Sequence, residues 1–150
     1  MKFELFHPVA DDLASLDYKE CYSLGELGCS KTLIEMSHLG RTKDSLCLAF
    51  ANQGLIYGIA GSYRSWAGSA QAWAVFSPAV DKYPVALKKV CTSLINHAVK
   101  EQHLIRLSLT VRADYAKGNS FAQCLGFELE GQMKKYLPDG ADASLYARVF

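Results

Sequence analysis

The stretch that decides the fold is SAQAWAVFSPAVDKYPVALKKVCTSLINHAVKEQHLIRLSLTV, residues 69–111. Its opening, Ser69 to Phe76, is an apolar run that follows the Gly- and Ser-containing loop Gly61 to Gly68, and it reads as a strand. From about Asp81 to Glu101, Leu87, Val90, Leu94 and Ala98 recur at helical spacing while Lys88, Lys89 and Asn96 fall elsewhere. That pattern predicts a long amphipathic helix lying on a sheet. Leu104 to Val111 then alternates, with Ile105, Leu107, Leu109 and Val111 on one face and Arg106, Ser108 and Thr110 on the other, as in a half-buried strand. A strand, a helix and a second strand in this order join two parallel neighbours through a crossover.

Outward from this unit the pattern changes. On the N-terminal side, Lys2 to Phe6 reads as a short strand. A helix follows from Pro8 through Asp11, Asp12, Leu13, Leu16 and Cys21 to an end near Gly25. A second helix spans Ser30 to Leu39 and is closed by Gly40. Ser45 to Ala51 and Leu55 to Gly61, joined by Asn52-Gln53-Gly54, form a hairpin. Tyr63, Arg64 and Trp66 then read as an exposed aromatic loop: a lid over an acceptor site, a partner surface, or a covered sheet edge. On the C-terminal side a short helix, Ala116 to Leu125, stops at Gly126. Phe127 to Tyr136, the turn Pro138-Asp139-Gly140 and Ala143 to Phe150 make a closing hairpin. The order β-α-α-β-β-β-α-β-α-β-β, without repeat or linker, predicts one α/β (α+β) domain over residues 1–150 with a mixed sheet flanked by helices.

Composition narrows the function classes. The chain of 150 residues is 50% hydrophobic and 21% charged, as suits one globular domain. Sixteen Lys+Arg against fifteen Asp+Glu give a net charge of +1, which argues against a protein built to grip nucleic acid. Five cysteines without a C-x-x-C pair indicate neither a disulfide scaffold nor a zinc knuckle. His7, His38, His97 and His103 never place two ligands on one helix turn, so no metal is expected. No apolar run approaches a membrane span, no signal-peptide core follows the start, and a cytoplasmic setting is expected, host cytoplasm or virion if the gene is a phage's.

The element order, together with Gly118, Phe121 and Leu125-Gly126-Phe127, resembles the GCN5-related N-acetyltransferase fold over essentially the whole chain. A narrower likeness, to divergent acetyltransferase-like proteins of tailed bacteriophages that include an internal virion protein, is carried by Asp17-x-x-Glu20, Ala72-Trp73-Ala74-Val75, Lys82-Tyr83-Pro84 and the same Leu-Gly-Phe end. The resemblance implies acetyl-CoA as cosubstrate, an amine or protein acceptor, and a reaction in which the amine attacks the thioester. For the phage-type proteins it equally implies a non-catalytic virion-associated or host-interaction role.

In such a site the pyrophosphate lies on backbone N–H groups at the start of the long helix, and the thioester oxygen lies near the N–H groups of Val75 to Ser77. The family pattern V-x-P-x-x-R-G-x-G-x-G/A, with its proline on Pro78, puts Asp81 at the arginine, Lys82 and Pro84 at two glycines, and Ala86 at the last position. Asp81 repels phosphate and Pro84 lacks a donor, whereas Lys82 supplies charge. The same residues also read as an ordinary helix start capped by Asp81. By the resemblance, Phe76, Ser77, Lys82, Tyr83, Ala86 and Asn119 are the cofactor-binding candidates. The tyrosine that protonates the thiolate in many relatives falls on Ala122; Tyr115 and Tyr136 are the residues that could substitute, with Tyr115 taken as the candidate acid and Glu20 as the candidate base.

Overall fold

In the computed structural model, which describes residues 1–8, 22–25 and 44–150, a mixed sheet carries two α-helices on one face. The strands are β1 (Glu4–Phe6), β2 (Tyr22–Leu24), β3 (Ser45–Asn52), β4 (Leu55–Trp66), β5 (Ser69–Phe76), β6 (Arg106–Arg112), β7 (Glu128–Met133) and β8 (Ala143–Val149). The helices are α1 (Pro84–Gln102) and α2 (Ala116–Cys124), with a 3-10 turn at Pro78–Lys82. The sheet order is β1-β3-β4-β5-β6-β8-β7, with β2 beside β5. Every pairing is antiparallel except β5 with β6, the parallel pair that the strand-helix-strand reading predicts.

The β5–β6 ladder is short. It runs only through Ser69↔Arg106, Ala70↔Leu107 and Gln71↔Ser108. Farther along β5, Ala74 to Phe76 pair with β4 on one edge and with Leu24 to Tyr22 of β2 on the other. The Gly25 N–H donates to the Thr110 carbonyl of β6 at 2.8 Å. β2 is therefore wedged into the gap where β5 and β6 cease to pair.

Helix α1 packs through Leu87, Val90, Cys91, Ile95 and Ala98, each large apolar side chain contributing about 1.5–3 kcal/mol relative to exposure. Leu87, Val90 and Ala98 are buried as the spacing predicts, whereas Leu94 is only half-buried and Ile95 takes the interior place. That face meets Phe50, Phe76, Leu107, Leu109 and Val111 of the sheet. A second buried cluster, including Cys47, Ile59, Trp73 and Val75, lies on the opposite face. The α1 C-terminus is tied to the sheet by a buried hydrogen bond of 2.5 Å from Ser62 Oγ to Gln102 Oε1, and Gln102 Nε2 donates to the Asp44 carbonyl.

Several sequence expectations are corrected. Tyr22–Leu24, read as the end of the first helix, is strand, because long-range pairing with β5 supplies hydrogen bonds that a helix end would leave open. The rest of that helix and the second one lie outside the described residues, as does Glu20. The Gly61 to Gly68 loop is mostly the second half of β4: Gly61, Ser62, Tyr63 and Arg64 pair with both β3 and β5 or with β5 alone, and pairing overrides loop-like composition. Asp81 does not cap α1. Ser77 caps the 3-10 turn, accepting from the Ala79 N–H, and the chain breaks at Tyr83 before α1 begins at Pro84. Ile105, placed on the buried face of β6, precedes the strand and is 65% exposed, its N–H bonded to the Gly68 carbonyl. The short helix ends at Cys124, and Gly126, at φ 88, provides the left-handed stop.

Candidate functional site

A cleft of about 730 Å³ opens between the start of α1 and α2, at the end of β5 where β2 is wedged, a volume within the range of small-molecule sites. Leu24, Phe76, Val80, Leu87 and Phe121 form its apolar walls, and Phe76 meets Phe121 edge to face at 5.9 Å. Asp81, Pro84, Val85 and Lys88 line it from one side, Tyr115, Lys117, Gly118 and Cys124 from the other, and Tyr22 from β2. The spacing explains part of the sharing: 84, 85 and 88 lie on one face of α1 and 117, 118, 121 and 124 on one face of α2, while Asp81 comes from the 3-10 turn before the break at Tyr83.

One polar cluster sits in this cleft. Tyr22 OH donates to Asp81 Oδ2 at 3.0 Å, Lys117 Nζ donates to Asp81 Oδ1, and Lys117 Nζ lies 4.6 Å from the centroid of the Tyr22 ring. The Lys117 hydrogen bond holds the Asp81 carboxyl below its usual range, with the Tyr22 hydroxyl helping against partial burial. Asp81 in turn raises Lys117. Burial raises the Tyr115 phenol, Lys117 opposing, so that at neutral pH it stays a proton donor. Among the described residues Lys88 has no carboxylate partner.

The helix start fits an anion. Tyr83 gives α1 no side-chain cap, Pro84 has no N–H, and the Leu87 N–H bonds to the Tyr83 carbonyl. The amides of Val85 and Ala86 therefore have no acceptor within the 19-residue helix.

No protein-family model and no curated protein matches this sequence. Solved structures do. A probable acetyltransferase superposes with a TM-score of 0.78 at 16% identity, over 99% of this chain and 93% of its own. RimL, a ribosomal L7/L12 alpha-N-protein acetyltransferase, gives 0.68 at 19% identity over 81% and 74%. The Microcin C7 self-immunity acetyltransferase MccE, solved with acetyl-CoA and AMP, gives 0.66 at 18% identity over 77% and 67%. This chain has the GCN5-related N-acetyltransferase fold. None of the three is described as a phage protein, so the narrower likeness gains nothing from them.

Within this acetyltransferase fold the predicted site residues fall into three groups. Phe76 ends β5 in the cleft wall, and Ser77, the cap of the 3-10 turn, follows it with its N–H on the Tyr57 carbonyl. Lys82, Tyr83 and Ala86 surround the first turn of α1, where Tyr83 packs edge-on against Tyr57 at 5.8 Å and Lys82 is not among the cleft-lining residues. Tyr115 reaches the cleft. Asn119 stands apart: its Nδ2 donates to the carbonyls of Arg112, Ala113 and Tyr115, and its Oδ1 accepts from Tyr146 OH. Ala122 is wholly buried beneath α2, so that position faces the core and not the cleft. Sequence reasoning missed Tyr22, Lys88 and Lys117. The 84/85/88 spacing on α1 was the available signal for Lys88; nothing comparable in the sequence ties Tyr22 or Lys117 to Asp81.

Proposed function

We propose that this protein is an acyl-CoA-dependent N-acetyltransferase whose cosubstrate lies in the cleft between α1 and α2. The observation that carries the reading is the uncapped start of α1, with Lys88 on the same helix and Lys117 on α2, at a cleft with apolar walls. Anionic groups of the cosubstrate meet the two lysines and the Val85 and Ala86 amides, which replace the glycine-rich loop that Asp81 and Pro84 interrupt. The acceptor is an amine, of a small molecule or of a protein. Its nitrogen attacks the thioester carbonyl, the C–N bond forms, the C–S bond breaks, and the amine's surplus proton passes to Glu20. Tyr115 donates its phenolic proton to the departing thiolate, a role its raised pKa permits because the group is neutral when needed.

A second reading, a non-catalytic binding module on the same scaffold such as a phage virion-associated or host-interaction protein, is favoured by the pairing of Asp81 with Lys117 where the family pattern carries an arginine. Chromatographic measurement of CoA released from acetyl-CoA, with mixed amine and peptide acceptors, separates the two. The enzymatic reading expects turnover that falls on the order of a hundredfold in Tyr115→Phe. Absence of turnover in the unmodified protein supports the binding module.

A further inference from the structure

Strand β2 occupies the edge of β5 that the proposed thioester position requires. Ala74 to Phe76 already pair with β4, so the only remaining edge of this segment is the one facing β6, and Tyr22 to Leu24 fill it. The seat is shaped for this backbone. Gly25 has φ +82, and a Cβ there would lie 2.6 Å from the Ala72 carbonyl oxygen and 2.8 Å from Trp73 Cα, so the chain passes closer to β5 than any other residue allows.

The hold on β2 is nevertheless slight. Its ladder with β5 comprises three residue pairs. One side chain, Leu24, is buried, and the polar latch of Tyr22 and Lys117 on Asp81 is solvent-exposed, where ion pairs contribute little. The latch also uses a cation that faces the cleft. An anion drawn to Lys117 pulls it from the face of the Tyr22 ring as well as from Asp81, and so removes one of the side-chain contacts that anchor Tyr22.

We infer that Tyr22–Gly25 is a displaceable internal strand that competes with acyl-CoA for the edge of β5, giving the cleft a closed state with β2 docked and an open state with β2 released. The inference rests on the acyl-CoA reading of the cleft. Docking and ligand entry are mutually exclusive at residues 74–76, and apparent affinity is reduced by the fraction of molecules that are closed.

Hydrogen exchange of the whole protein, followed by mass spectrometry with and without acetyl-CoA, reads both states. With acetyl-CoA saturating, residues 22–25 should exchange faster while the first turns of α1 exchange more slowly. Gly25→Ala, which cannot seat, should show fast exchange at 22–25 without ligand and bind acetyl-CoA about tenfold more tightly. Tyr22→Phe, which removes only the hydroxyl, guards against misfolding of the first variant and should tighten binding about two- to threefold. Equal affinity in all three proteins, or continued protection of 22–25 with acetyl-CoA bound, overturns the competition and leaves the acyl-CoA reading standing. Absence of acetyl-CoA binding in all three overturns that reading, and the competition with it.

Discussion

Tyr22 and Asp81, 59 residues apart in sequence, are joined by a 3.0 Å hydrogen bond that ties the strand wedged between β5 and β6 to the approach of helix α1. By the resemblance, Asp81 stands where the acetyltransferase pattern carries an arginine. Its carboxylate is not left facing an incoming phosphate, because Lys117 and Tyr22 both donate to it. The same contacts give the cleft its polar centre and fix the position of β2.

The cluster should respond to pH at both ends. The Asp81 carboxyl is lowered from 3.8, so its contribution is present above that value and is lost as pH falls through the lower folded-state pKa. Lys117 is raised from 10.5, so its contribution is present below that value and is lost as pH rises through the higher folded-state pKa. Thermal melts across pH should show both limbs flattened in Asp81→Asn. Because the pair is exposed, the change at neutral pH should stay within about 1 kcal/mol.

The buried link between Ser62 and Gln102 should matter more. Gln102 is 3% exposed and is the hydrogen-bond partner of the Ser62 hydroxyl. Gln102→Ala strands that hydroxyl and should cost about 1–3 kcal/mol in urea denaturation. The double variant Ser62→Ala, Gln102→Leu removes both polar groups and should recover part of the loss. Additive losses would show that the two side chains do not act as a pair.

Charge reversal separates the cleft lysines from their neighbour. Lys88→Glu and Lys117→Glu should each weaken acetyl-CoA binding by about tenfold at low salt, less at high salt. Lys82→Ala should change it by less than about twofold, since Lys82 lies outside the cleft lining. Calorimetric titration at two salt concentrations checks the set.

Most of the sheet is legible in the sequence because its strands carry their own signal. Ser69–Phe76 has the bounds its apolar run predicts, and Leu107, Leu109 and Val111 are buried; Ser108 and Thr110, expected on an open face, are buried as well, so β6 is covered on both faces. Two elements are not legible for a physical reason. Tyr22–Leu24 is too short for any period to emerge and is a strand only through its partners 74–76. Gly61, Ser62, Ser65 and Gly68 give the second half of β4 the composition of a loop, yet pairing with Ser45 to Cys47 and with Ala70 to Trp73 extends it. At the cleft, the start of α1 and Tyr115 were named from the sequence, Tyr115 as a stand-in for the tyrosine missing at Ala122, and both line the cleft. Lys117 and Tyr22 were not, because only tertiary structure brings both to Asp81.

The central claim is that the space between α1 and α2 receives acyl-CoA, and NMR titration of the labelled protein with acetyl-CoA tests it most directly. The account predicts saturable shifts centred on the amides of Val85 and Ala86 and on the side chains of Val80, Leu87, Tyr115 and Phe121. Shifts that never saturate, or that gather at the opposite end of the sheet around Trp66, Ile105 and Phe150, would contradict it.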